Sequence, residues 1–365
     1  MTNQKIVDKT SSVLNENKSK WEDVYAKHIE IINKNAEHAK LSDYCQINSP
    51  LALYSSISKA KSEDVLYDLR FAGKSVGTIT LKEKSKKEKE LEKDKRSGQY
   101  KAILSFSDGQ LNVVKKLGFD IPPKKEEWNS KNARNFRSKL QNKFRYGISA
   151  KQLKDYFKGG KIGEEARLEC LILNELKKGK IPNITPILLD KAFYQLTTPL
   201  AASNHYEEPR MTTNKNYRGG GIDIFARITH GSNRYGNRLA VIELKDANKK
   251  SKAKNAEPQS VVIQQAIEYA TFLAHLLCSK RGDDWWNNFR DRDKHKDQLS
   301  VPPELHIDAI SLMPEGDSEE GDLKTVLEVK GLGKKNYIHP YSLYFKKDND
   351  GNPIGFYGTL IDEIG

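Results

Sequence analysis

The chain has 365 residues, with 62 lysines and arginines against 49 aspartates and glutamates, for a formal charge of +13. Its length suffices for two domains of about 100–200 residues each, and its charge attracts polyanions, which makes nucleic acid the default partner. Three dispersed cysteines, Cys45, Cys170 and Cys278, with no CxxC pair, exclude a disulfide framework and a zinc ribbon and fit a reducing cytoplasm, while the lack of an apolar leader or a spanning apolar run predicts neither export nor membrane insertion.

From about residue 11 to 60, Trp21, Val24, Ile29, Ile32 and Leu41 recur at helical spacing in a polar background and predict one or two amphipathic helices. Next, VLYDLRFAGKSVGTITL holds two β-rich runs about Gly73-Lys74, the pattern of a hairpin. Within it, Ala72-Gly73-Lys74-Ser75 has the ending of a phosphate-binding loop, but Asp68 stands where the earlier glycine is required, so nucleotide hydrolysis is not expected there. Lys82 to Arg96 is almost wholly charged, an exposed loop or a solvated helix, and leads into the apolar run YKAILSF.

Between Trp128 and Phe157 the pattern is helical, with Phe136, Leu140 and Phe144 on one stripe and Arg134, Arg137, Lys139, Lys143 and Arg145 around it. Such a basic face either engages phosphates or only solvates the helix. Gly159-Gly160 marks a boundary. It separates an N-terminal α+β module, residues 1–158, suited to recognition or sensing, from a catalytic domain, residues 159–365.

From Lys161 onward the elements become regular: a helix (GEEARLECLILNELKKG), strands GIDIFARI and RLAVIEL, a helix (SVVIQQAIEYATFLAHLLC) and a strand (ELHIDAISLM). This order predicts an α/β domain, α+β over the whole chain, with a mixed sheet flanked by helices. YSLYF and PIGFYG bracket KKDNDGN, a terminal hairpin. Trp285-Trp286 is expected to seal a helix end rather than stack on bases, His295 is expected in solvent, and the eight histidines include no HExxH.

Two strands carry the candidate chemistry. In GIDIFARI the row Ile222, Ile224, Ala226, Ile228 alternates with Asp223, Phe225 and Arg227, so Asp223 lies opposite the aliphatic face. In RLAVIELK, Leu239, Val241, Glu243 and Lys245 share one face, which sets Glu243 and Lys245 side by side. The Gly/Asn/Ser-rich THGSNRYGNR between them suits an antiparallel turn that brings Asp223 beside Glu243. Two carboxylates so placed repel each other, and a hard divalent cation such as Mg²⁺ relieves the repulsion.

Asp223 followed by Glu243-Leu244-Lys245 resembles the D…(D/E)xK signature of the PD-(D/E)xK, or restriction-endonuclease-like, nuclease superfamily, over roughly residues 160–315. Ile222 stands where the motif's name has proline. The resemblance implies Asp223, Glu243 and the Leu244 carbonyl as ligands of Mg²⁺, with Mn²⁺ as a substitute, and Lys245 as the catalytic lysine. It extends to the acidic helix before the motif, where Glu165, with Glu169 close behind and Glu164 adjacent, is the candidate to complete the site, and to Gln265…Tyr269, a Q-x-x-x-Y pattern similar to that of the RecB-like branch. The function it implies is that of a Mg²⁺-dependent endonuclease on double-stranded DNA, of the type II restriction kind, with homodimerisation left open. The alternatives are a defence or repair nuclease whose N-terminal module senses a ligand, and an inactive nucleic-acid-binding protein.

Overall fold

The computed structural model describes residues 1–38, 51–57, 65–87, 100–117, 125–127, 135, 138, 164–189, 192–202, 208–213, 219–231, 237–247, 257–290, 299–316, 323 and 325–364. The expected boundary at 158/159, almost all of the basic helical segment from Trp128 to Phe157, the charged stretch from residue 88 to Arg96, Leu41, Cys45, His295 and most of KDANKKSKAK, the lysine-rich stretch that begins at Lys245, lie outside them.

The chain is a mixed α+β structure with two mixed sheets flanked by helices. It opens with α1 (Asn3–Glu16) and α2 (Lys18–His38). Thr2 caps α1 by accepting the Lys5 N–H, which satisfies one of the orphan donors of a helix start. The helical pattern expected to continue to about residue 60 gives way to a strand, β1 (Leu51–Ile57), whose LALYSSI run is buried on both faces and so carries no period-2 signal.

The first sheet continues with β2 (Val65–Phe71), β3 (Lys74–Glu83), β4 (Tyr100–Ser105) and β5 (Lys125–Glu127). The β2–β3 turn is Ala72-Gly73, one residue earlier than the expected Gly73-Lys74, because these two residues take the positive φ angles of 45° and 83° that a tight hairpin turn demands. Helix α3 (Asp108–Lys116) follows β4 behind a capping box of Ser107 and Gln110. The sheet is completed from later in the chain: β8 (Ala192–Tyr194) pairs in parallel with β1, and β7 (Leu188–Leu189) pairs with β8.

The second sheet has the order β12-β13-β11-β10-β9-β6, with β14 also on β13. Its strands are β6 (Ile184–Pro186), β9 (Ile224–Thr229), β10 (Asn237–Leu244), β11 (Glu304–Pro314), β12 (Leu327–Glu328), β13 (Lys335–Lys347) and β14 (Pro353–Tyr357). β9 and β10 are antiparallel, as their turn predicts, while β10, β11 and β13 run parallel. β13 and β14 form the expected terminal hairpin.

Helix α4 (Glu164–Lys177) lies on one face of this sheet, together with α7 (Thr359–Ile364), and packs Leu168, Ile172 and Leu176 against Ile224, Ala226 and Ile242. Helix α5 (Gln259–Leu277) covers the other face against Leu239, Val241 and Ile307. It is apolar nearly all round because α1 and α2 cover its far side: Trp21 and Tyr25 meet Phe272 edge-on at 5.7 and 5.0 Å. Trp285 and Trp286, on the short α6 (Gly282–Phe289), are buried in the same core, as a sealing role requires. No single described helix is long and apolar enough to cross a membrane.

Candidate active site

β9 and β10 pair so that Ile224 faces Ile242, and the next residues outward, Asp223 and Glu243, come together at the end of the ladder. The Asp223 carboxylate accepts the Leu244 main-chain N–H at 2.9 Å, which fixes it against β10 just where the ladder ends. Phe225 and Val241 lie in the α5-side core and Ile224, Ile242 and Leu244 in the opposite one. Alternation therefore puts Asp223, Glu243 and Lys245 on the α5 side.

Glu243 is only 2% exposed. One of its oxygens accepts from Lys245 Nζ at 2.9 Å, the side chain lies against that of Asp223, and Oε2 is buried with no hydrogen-bond donor among the described residues. Burial, followed by the charge of Asp223, raises its pKa well above the ordinary glutamate value against the pull of Lys245. Asp223 is raised as well, by desolvation, with Lys245, the Leu244 N–H and a side-chain hydrogen bond to Glu243 opposing. Burial disfavours the Lys245 ammonium, but Glu243, Glu165 and Asp223 outweigh it and raise its pKa. Lys245 thus stays charged at neutral pH, which suits it to stabilising negative charge rather than to accepting a proton.

From α4, Glu165 Oε2 lies 3.9 Å from Lys245 Nζ. Desolvation pushes its pKa up to about 7, with Lys245 opposing and Asp223 adding to the rise. Glu169, one turn on, is buried and pushed up to about 8, chiefly by burial, with Arg70 opposing and Asp223 adding. Glu164 turns away: it pairs with the fully buried Arg167 at 2.8 Å and lies 3.6 Å from Lys347. Arg167 also bonds the main chain of Gly351 and the side chain of Asn352 at 3.1 Å, so Glu164 helps pin the β13–β14 turn to α4.

Gln265 joins this group at one remove. Its amide donates to the Tyr269 hydroxyl at 3.2 Å, and the Tyr269 pKa is raised by burial and then by Glu243, with Asp223 contributing. The same hydroxyl sits against Gly220, where an added Cβ would come within 1.8 Å of it. Gly220 and Gly221 seat the approach to Asp223, since Thr198 N donates to Gly220 O at 2.7 Å and Ile222 N to Leu196 O at 2.9 Å. The Gly219-Gly220-Gly221 run is the sequence signal that could have located this close approach.

Among the described residues no group of three or more His, Cys, Asp or Glu side chains is arranged to hold a metal ion. The smaller set of Asp223 and Glu243 nevertheless fits one. It offers two hard oxygen donors, one with an orphaned buried oxygen, and like charges that a single ammonium does not balance. The remaining positions would fall to main-chain carbonyls and water. No family model matches the chain, and no curated protein or solved structure is significantly similar to it.

Proposed function

We propose that the chain is a divalent-metal-dependent endonuclease on double-stranded DNA, built on the PD-(D/E)xK pattern, and that it works as a sequence-specific restriction enzyme in the cytoplasm. One observation carries the reading: a buried glutamate with an orphaned oxygen sits at the end of an antiparallel strand pair, beside Asp223 and bonded to Lys245. An ordinary surface hairpin would leave Glu243 in solvent, and an ordinary buried carboxylate would have both oxygens satisfied. The charge of +13 supports a polyanionic substrate.

On this reading Asp223, Glu243 and the Leu244 carbonyl would hold Mg²⁺, or Mn²⁺ in its place, which when bound would supply charge neutralisation at the phosphate and a water of lowered pKa. The chain's own residues do the rest. The Leu244 N–H holds Asp223 in register with β10. Hydrolysis adds water across one P–O bond, and the charge that builds on the phosphate oxygens is met by the Lys245 ammonium. Glu165 faces that ammonium from α4 and steadies it. Gln265 acts through Tyr269, which packs against the glycines leading to Asp223.

The test is digestion of varied plasmid DNA with the purified full chain in Mg²⁺, Ca²⁺ or EDTA. Discrete fragments in Mg²⁺, with binding but little or no cutting in Ca²⁺, are the expected result. A smear would keep the nuclease and remove the sequence specificity. Equal cutting in Ca²⁺, or activity that survives EDTA, would remove the metal site.

A further inference from the structure

We propose that Arg70, a residue of the first sheet, is a positioning residue of the active site that holds the Glu169 carboxylate of α4 in place beside Asp223. The proposal rests on the nuclease reading above.

Arg70 and Tyr54 belong to paired strands, and both lie at the face of the first sheet that looks onto α4. The guanidinium is held on three sides. Nε donates to Asp68 at 2.7 Å, Nη2 donates to Gln195 at 2.9 Å, and the Tyr54 ring lies 4.0 Å beneath it. Its remaining nitrogen, Nη1, lies 3.8 Å from Glu169 Oε1, a buried oxygen, and the Tyr54 hydroxyl also meets the Glu169 carboxyl. The distance matters: a pair formed only to join two elements would close to hydrogen-bond contact. Here three other partners fix the guanidinium, and Arg70 and the Tyr54 ring beneath it together bound the place that the Glu169 carboxyl can take.

The same arginine reaches the site by a second route. Gln195 immediately precedes Leu196, whose carbonyl accepts from Ile222 N, the residue before Asp223. The first sheet also cannot drift from α4. At the β2–β3 turn an added Cβ on Gly73 would come within 2.2 Å of the Ala166 carbonyl, so backbone packs on backbone. Arg70 therefore ties both the acidic helix and the seat of Asp223 to a sheet built mainly from the N-terminal third of the chain.

The test is a double-mutant cycle in the full chain, reading single-turnover cleavage in Mg²⁺ and DNA binding in Ca²⁺. Arg70→Gln should slow cleavage by about 10–100-fold, the usual cost of losing a residue that orients a site side chain, while binding is unchanged. In a Glu169→Gln background the same change should add no more than about twofold, because the group it positions is already altered. Arg70→Lys, which keeps the charge, should recover much of the rate and serves as the readout should Arg70→Gln fail to fold. A wild-type rate in Arg70→Gln, or its full effect persisting without the Glu169 carboxylate, overturns the proposal. Asp223→Ala in the same assay separates the two levels: if it cuts normally, the nuclease reading itself has failed, whatever Arg70 does.

Discussion

The second sheet buries a carboxylate at each end, and the two are treated differently. At one end Asp308, on β11, is fully buried, with one oxygen 2.7 Å from His230 Nε2 and the other 3.4 Å from Arg238 Nη1. At the other end, about 17 Å along β10 from Arg238, Glu243 has one oxygen on Lys245, the other unpaired, and a second carboxylate beside it. The first arrangement gives both carboxylate oxygens a partner, with the ring atom His230 Nδ1 left without one among the described residues, and such a network fixes neighbouring strands. The second leaves like charges and an open oxygen, which folding alone gives no reason to keep. A buried charge by itself is weak evidence of a site, and a buried charge left incomplete is stronger.

Paired substitutions at the two ends sharpen this contrast. Asp308→Ala should destabilise the fold by about 3–5 kcal/mol, as breaking a buried pair does, and at the lower end because Arg238 is one-fifth exposed and can reach water. Cleavage per folded molecule should persist. Glu243→Gln should do the reverse, lowering cleavage by a factor of about 10² or more while leaving the melting temperature in EDTA unchanged or raised, since burial and Asp223 already disfavour a charge at this position. If Asp308→Ala were the inactive but stable variant, the roles of the two ends would be exchanged.

A smaller effect concerns pH. A carboxyl whose folded-state pKa is raised stabilises the fold fully below its ordinary value and loses that contribution as pH rises through the folded value. For Glu169 the window runs from 4.5 to about 8, and Glu165 acts in the same direction up to about 7. In EDTA the melting temperature of the wild type should therefore fall relative to Glu169→Gln between pH 4.5 and 8, by about 2 °C or more. Mg²⁺ should restore more of it at pH 8 than at pH 5, because the ionised cluster is the form that binds. A flat difference across that range would mean that Glu169 does not feel the charges described.

The residues of the candidate centre were legible because local pattern determines them. The alternation of GIDIFARI and RLAVIEL gave the faces of Asp223, Glu243 and Lys245, and the turn between them gave their pairing. α5 was readable as a long apolar helix. What failed to show depends on contacts between distant segments. Arg70 and Tyr54 approach Glu169 only because β1 pairs with β8, some 140 residues later, and no periodicity records that. β1 read as an extension of a helical region because both its faces are buried. Glu164, Glu165 and Glu169 look alike in sequence, and only the packing of α4 turns Glu164 to Arg167 and the other two toward Asp223 and Lys245. α3 is too short to carry a strong apolar period, and Ser107-x-x-Gln110 is the signal that announces its start.

The most direct measurement is the cleavage rate of Lys245→Ala in Mg²⁺, taken together with its DNA affinity in Ca²⁺ and its circular dichroism. Lys245 bonds Glu243 but is no metal ligand, so the account predicts a loss of at least about 10²–10³-fold in rate, with DNA binding retained and the fold intact. A folded Lys245→Ala protein that cuts DNA at the wild-type rate would contradict the assignment of the active site to this end of the sheet.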